Sequence, residues 1–510
     1  MSEREHRVII PGPPGTGKTR RLLSYLDDEL NVFKTKPDRI AFIAYSRAAV
    51  RTIRNRITNP DVIVKTMHAL GSEAQGLDPK ANLLQGKKWR TFQNFYPGAR
   101  EVFFEAYTDE LGSVRYKHNH MKIIEYARNT KMKIDEAAYK LELHYNTNTY
   151  QTRDLFAHLN EFKRGTGMFE YVDMIDGFVK KENIIGPPLD AIFLDEAQDL
   201  SPLQWDMFKK LESYALRSYV AGDDDQTIYS FQGADPRIFI NLEGKMDPQI
   251  KSQRVPRAVH KVAQSILNQM SRRMPKDWEP RDAEGYVSMY EKKFADLDFT
   301  KGKWFILART NKLLDPIKDR IQNMGLRFDT RTQDLLPKDH VIAYRTWIKL
   351  NRGEYVDIED VKKMWDRLRV KDGHIERGYS SGKTLDKIEE GQINIEGLRA
   401  EHGLRATGSW ETLNFSEEAK VYIRTILKSD DDLMDDARIK ISTIHGVKGE
   451  ECENVILFTD LESIIYKSAQ ENPDTEHRVF FVGVTRTKEN LYVMTQDEGE
   501  TDYLIGGAIV

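Results

Sequence analysis

The chain has 510 residues, of which 40% are hydrophobic and 31% charged, with a formal net charge of -3. That length exceeds what one core supports, so three or four domains of about 100–200 residues are expected. Cys452 is the only cysteine, which excludes an intramolecular disulfide framework and any Cys-based zinc or iron–sulfur cluster. It reads as a core residue in a reducing, cytoplasmic setting. No apolar run approaches the ~20 residues needed to span a bilayer, and the polar start MSEREHRVII predicts no signal peptide. The balanced charge does not by itself point to a polyanionic partner.

In chain order, residues 7–11 (RVIIP) read as a short apolar strand running into a glycine loop and an amphipathic helix, RRLLSYLDDEL. Residues 40–44 (IAFIA) and 62–64 read as further strands, with helical spacing between them. From about 76 to 165 the pattern turns helical, aromatic and polar, with no strong strand. Strand character returns at 191–194 (AIFL) and 218–221 (SYVA), each followed by acidic residues and a helix. A second block starts near Gln249, with strands at 304–308, 439–443, 455–458 and 491–494. A charged helical stretch at about 335–430, including KTLDKIEEGQINIEGLRAEHG, interrupts it, and Asp430-Asp431-Asp432 reads as a solvated loop. Strands alternating with helices predict α/β domains with parallel sheets. The expected division is 1–75 with 166–248 as the first sheet domain, 76–165 as a helical insertion, 249–334 with 431–510 as the second, and 335–430 as its insertion.

GPPGTGKT (Gly12, Pro13, Pro14, Gly15, Thr16, Gly17, Lys18, Thr19) fits the phosphate-loop pattern G-x-x-x-x-G-K-[ST], between a strand and a helix as that pattern requires. Its glycines let backbone N–H groups turn towards phosphate oxygens at a helix N-terminus. Lys18 is expected at the β/γ phosphates of ATP and Thr19 at Mg²⁺. In IFLDEAQD, Asp195 and Glu196 end a buried strand, where ligands of such sheets sit. Asp195 is expected to hold Mg²⁺ through water, and Glu196 to orient and deprotonate the attacking water.

The order GPPGTGKT, TMH, DEAQD, GDDDQTIYSFQGA, TIHGVKGEE, VGVTR resembles superfamily 1 DNA helicases of the UvrD/Rep type. The resemblance implies two RecA-like parallel-sheet motor domains in tandem, each with a mainly helical insertion. It implies that Gln226 contacts the γ-phosphate, and that Arg254 (in SQRVPRAV) and Arg486 (in VGVTR) are arginine fingers. Gln253 stands where the family has an adenine-stacking tyrosine, and Glu451 is expected at the ribose. Tyr229, Phe231 and Tyr45 are expected as base-stacking platforms, with core packing as the alternative for each. Thr66, His68, Thr443 and His445 are expected to face DNA, with Lys448 and Gly449 shaping the loop; His445 has a hydrogen-bonded loop histidine as its alternative. Arg309 and Asn311 resemble a weaker backbone-contacting motif.

Gln253 and the lack of an adenine-reading glutamine before Pro11 predict relaxed nucleotide selectivity. Gln232 replaces the family's usual arginine. The implied activity is ATP-dependent 3′→5′ translocation on single-stranded DNA with separation of the duplex. Partners are single-stranded DNA and its junctions with duplex, with no membrane, and the protein is a monomer or weak oligomer. The alternatives are a translocase that displaces proteins without unwinding, and a nucleotide-regulated binding module that is not a motor.

Overall fold

The computed structural model describes residues 6–44, 46–102, 106–108, 114–116, 118–180, 189–330, 335–379, 385–386, 391–429, 431–496 and 501–505. Tyr45, Asp430 and parts of the KTLDKIEEGQ stretch lie outside the described residues.

Among the described residues two six-stranded sheets organise the chain, and every strand pair within them is parallel. The first runs in the order Ile63–Lys65, Ile40–Ile43, Ala191–Leu194, Arg217–Gly222, Arg7–Pro11, Lys245–Met246. The second runs Phe328–Asp329, Ile439–Thr443, Trp304–Ala308, Cys452–Phe458, Thr487–Met494, Tyr286–Met289. Central strands read as unbroken apolar runs because helices cover both sheet faces. Ile40–Ile43 and Ala191–Leu194 are buried at every position, with Phe42 registered against Phe193. The phosphate-loop strand lies beside Arg217–Gly222, which aligns Pro11 with Gly222 and brings the loop next to the GDDDQ segment.

The two insertions differ. The first builds its own apolar cluster from helices Asn119–Thr130, Ile134–Lys140 and Thr149–Thr166, around Phe92, Ile124, Leu159 and Phe162. It also carries an antiparallel hairpin, Ala106–Thr108 with Val114–Tyr116, that the sequence reading did not anticipate. Three-residue strands are too short to show alternation. The second insertion packs Trp347, Trp365 and Leu398 into one continuous core with Ile306, Ile441 and Ile456 of the second sheet. Within its expected helical stretch, Gln392–Ile393 pairs as a strand with Val356–Asp357. Among the described residues no helix is long and apolar enough to cross a membrane.

Candidate nucleotide site and nucleic-acid track

The loop after Arg7–Pro11 turns through Gly15 (φ 74°) and Gly17 (φ 87°), the left-handed conformations glycine adopts at no steric cost, and enters helix Lys18–Asn31. Thr16 closes it, its hydroxyl donating to the Pro13 carbonyl (2.8 Å). Lys18 is buried and donates to the Gly12 carbonyl at 2.7 Å, which places its ammonium inside the curl of the loop.

The acids stand at the carboxyl end of Ala191–Leu194. Thr19 Oγ1 donates to Asp195 Oδ2 at 2.7 Å. Glu196 sits at φ 54°, a left-handed conformation costly for a residue with a β-carbon, and strain of this kind concentrates at functional sites. Its carboxylate accepts from Gln198 Nε2 (2.6 Å). Burial alone would raise Glu196, but Lys448, Lys18, Gln198 and Arg486 outweigh it and hold the group below the usual glutamate range. Asp195 moves the other way, pushed up by burial and by the charge of Glu196. The two neighbouring carboxyls are therefore shifted in opposite directions, Glu196 down and Asp195 up.

The second sheet's lobe closes over this cluster. Ser252 Oγ donates to the Pro14 carbonyl (2.9 Å) and the Gln253 N–H to the Gly15 carbonyl (2.8 Å). A β-carbon on Gly15 would lie 2.5 Å from Arg254 Cβ, so glycine is also required there for the close approach. Arg254 pairs with Glu451 (2.6 Å). Arg486 is fully buried and donates to Gln226 Oε1 across the lobes at 3.0 Å. Burial, with the like charge of Arg254, weakens its hold on its proton, against the opposing pull of Glu196 and Glu451. Lys18, Glu196, Gln226, Arg254 and Arg486 thus share one crevice between two lobes.

Residues 2–247 match the family model of the UvrD/REP helicase N-terminal domain, and residues 439–494 that of the UvrD-like helicase C-terminal domain. The chain belongs to the UvrD/Rep helicase family. A probable DNA helicase II homolog of Mycoplasma pneumoniae is 21% identical, aligned over 97% of this chain and 83% of its own. PcrA of Leuconostoc citreum, named an ATP-dependent DNA helicase, is 23% identical over 64% of this chain and 46% of its own. PcrA of Bacillus subtilis is 25% identical over 36% and 24%. The chain thus spans less than half the length of both PcrA proteins. An arterivirus nonstructural protein 10 helicase solved with DNA aligns over 96% of this chain and 61% of its own, at 12% identity and a TM-score of 0.33, too loose a likeness to carry an argument.

The residues expected to meet DNA divide sharply in this UvrD/Rep chain. Phe231 is 56% exposed, its ring edge-on to His445 (5.6 Å). Tyr229 is not a platform: at 2% exposure it has no ring face left for a base. Lys448 Nζ stands 4.8 Å from its ring centroid, and its hydroxyl donates to the His445 carbonyl (3.4 Å). Thr443 and His445 are also buried rather than facing outward. The Thr443 hydroxyl accepts from Gly446 N–H (3.2 Å), and His445 Nε2 lies 3.2 Å from the Ile228 carbonyl. Burial and the nearby Arg309 charge keep His445 well below the usual histidine range, so it is a neutral loop histidine beneath Phe231. Arg309, expected at the DNA backbone, is engaged by Glu476 through two bonds (2.7 and 2.8 Å). Glu451, expected at the ribose, is bound instead to Arg254 and to Lys488 (3.3 Å). Thr66 caps helix Met67–Ala74 by accepting from Ala69 N–H, His68 lies edge-on to Tyr171, and Asn311 opens helix Asn311–Asn323 on an exposed turn.

Sequence reasoning missed several groups. Asp199 is paired with Lys448 across the lobes (2.7 Å), and Gln198 joins Glu196 to the Asp223 N–H (2.9 Å). Lys276 and Arg273 bind the acids Asp223, Asp224 and Asp225. That acidic triplet brings its oxygens close enough for a metal ion, but its charge is met by these two cations and by the Met274 N–H (2.8 Å). The DEAQD and HGVKGEE motifs carry a signal for Asp199 and Lys448; nothing local marks Lys276.

Proposed function

We propose that this UvrD/Rep-family chain is an ATP-hydrolysing motor that moves 3′→5′ along single-stranded DNA and separates duplex. The observation that carries this reading is the Arg486–Gln226 contact between lobes, with Arg254 packed directly over Gly15 of the phosphate loop. Cations from both lobes around one loop stabilise a transferring phosphoryl group only while the lobes are closed, which ties hydrolysis to lobe motion.

In this reading ATP lies in the loop Gly12–Thr19. Lys18 exchanges its Gly12 bond for the β/γ phosphates, and Gln226 reaches the γ-phosphate. Glu196, ionised and held by Gln198, orients the attacking water and takes its proton. Thr19 and Asp195 present touching oxygen donors, a set that suits Mg²⁺, which when bound would neutralise phosphate charge. Arg254 and Arg486 stabilise the charge that develops on the phosphoryl oxygens. Phe231 offers an exposed face to a base, and stacking tolerates any sequence. Thr66, His68 and Asn311 stand as further track contacts. The 3′→5′ direction rests on family resemblance.

The test is strand displacement on 3′-tailed and 5′-tailed duplexes with ATP. Unwinding confined to the 3′-tailed substrate is expected. Preference for the 5′ tail overturns the direction, and ATP-driven protein displacement without strand separation overturns unwinding.

A further inference from the structure

Helix Pro473–Val484 of the second lobe and the residues just after it hold the first lobe's GDDDQ segment at two points, Asp224 and Gln226. At its N-terminal end Asp474 accepts from Ser271 N–H (2.8 Å), Ser271 Oγ (2.9 Å) and Arg272 N–H (3.0 Å), which fixes the turn 271–276. Arg478, one turn on, donates to the Asp224 carbonyl (3.0 Å) and ties the same turn through the Arg272 carbonyl. At its C-terminal end the chain continues to Arg486, which holds Gln226. A helix is a rigid spacer, so these two grips are set at a fixed separation.

The turn delivers Lys276 into the acidic triplet. Its side chain is 3% exposed, and Nζ contacts Asp223 (2.7 Å), Asp225 (2.9 Å) and Asp224. Arg273 adds two bonds to Asp225 (2.9 and 2.8 Å). Asp223 in turn accepts from Gln226 Nε2 at 2.6 Å, on the opposite side of the amide from Arg486. A carboxylate only accepts and a guanidinium only donates, so the Gln226 amide has one orientation that satisfies both. If Asp223 took up a proton it could donate as well as accept, and the amide would lose one of the two contacts that fix its orientation, leaving Arg486 alone to hold it. Without Lys276, three buried carboxylates would share one arginine, and ionising all of them would be costly.

We propose that Lys276 is a positioning residue for hydrolysis: by holding Asp223, it fixes the Gln226 amide with its nitrogen towards Asp223 and its oxygen towards Arg486. The inference rests on the reading of Gln226 as the γ-phosphate contact. Burial drives the Asp223 carboxyl up, and Lys276 with Lys18 more than reverses this, which keeps Asp223 an acceptor.

Steady-state ATPase of the full chain with saturating oligo-dT tests it, using Lys276→Met, Lys276→Arg, Gln226→Ala and the double variant Gln226→Ala/Lys276→Met. Lys276→Met is expected to lower kcat about tenfold or more while KM for ATP moves less than about threefold, and Lys276→Arg to restore most of the rate. In the Gln226→Ala background, removing Lys276 should cost nothing further, because the two act as one unit. Wild-type kcat in Lys276→Met overturns the proposal, as does an equal additional loss in the Gln226→Ala background. Wild-type kcat in Gln226→Ala itself overturns the underlying reading of Gln226, a distinguishable failure. Should Lys276→Met not fold, Asp224→Asn/Lys276→Met removes a charge of each sign. Folded by thermal melting and still slow, that variant supports the proposal; folded and fully active, it overturns it.

Discussion

Lys448 of the second lobe is paired with Asp199 of the first, its Nζ 2.7 Å from Oδ1 and 2.6 Å from the Gln226 carbonyl. Both partners are buried, and the same ammonium lies over the Tyr229 ring. The last acid of DEAQD, the GDDDQ turn and the HGVKGEE loop therefore meet at one cation. Removing one member of a buried pair leaves the other desolvated and unmatched, at a cost of about 3–5 kcal/mol. Lys448→Met is expected to lower the midpoint of urea denaturation accordingly, and Asp199→Asn/Lys448→Met to recover more than half the loss. An unchanged midpoint in Lys448→Met would show that the pair does not hold the lobes.

Glu196→Gln keeps the shape of the group and removes its capacity to take a proton. ATP and single-stranded DNA should bind within about threefold of wild type, while kcat falls by about 10²–10⁴, the range of general-base catalysis. Fluorescent-nucleotide titration and phosphate release read the two effects separately. Wild-type hydrolysis in this variant is incompatible with the assigned base.

Phe231→Ala should weaken single-stranded DNA binding by about 1–3 kcal/mol, which is about 5- to 150-fold, and leave ATP affinity intact. Tyr229→Ala should act on stability instead, by about 3–5 kcal/mol for a large buried aromatic. Fluorescence anisotropy with labelled oligo-dT, beside thermal melting, distinguishes these. The reverse pattern, DNA loss in Tyr229→Ala with normal stability, would contradict the placement of the two rings.

That contrast marks how far the sequence carries. The phosphate loop and the acids after Ala191–Leu194 are legible because backbone geometry demands glycine, lysine and carboxylates at fixed local spacing. The central strands are legible because burial on both faces leaves continuous apolar runs. The edge strands Lys245–Met246 and Phe328–Asp329 are two residues long and leave no pattern. Which of Tyr229 and Phe231 faces outward is decided by the turn Ser230–Gln232 and by the second lobe packing on Tyr229, neither of which is written in the local sequence. Lys276 was illegible for the same reason, since its partners lie some fifty residues away in another lobe.

Asp460, remote from the nucleotide crevice, gives a pH test. Burial, reinforced by Asp502, pushes its carboxyl up to about 6 against the donation from the Gln496 N–H (3.0 Å). The folded-state value lies above the ordinary 3.8, so the stability it contributes is fully present below about pH 4 and is lost as pH rises through 6. Asp460→Asn keeps an acceptor for Gln496 and removes the titration. Its Tm relative to wild type should rise between pH 4 and pH 8, and a constant difference across that range would contradict the shift.

The central claim is that nucleotide chemistry between the lobes is coupled to a DNA track under Phe231. The most direct measurement is ATP turnover by the full chain with and without oligo-dT, repeated as salt is raised. Many-fold stimulation by the oligonucleotide, fading with salt as backbone contacts are screened, is the predicted result. Turnover that is the same with and without DNA at every salt concentration would contradict the account.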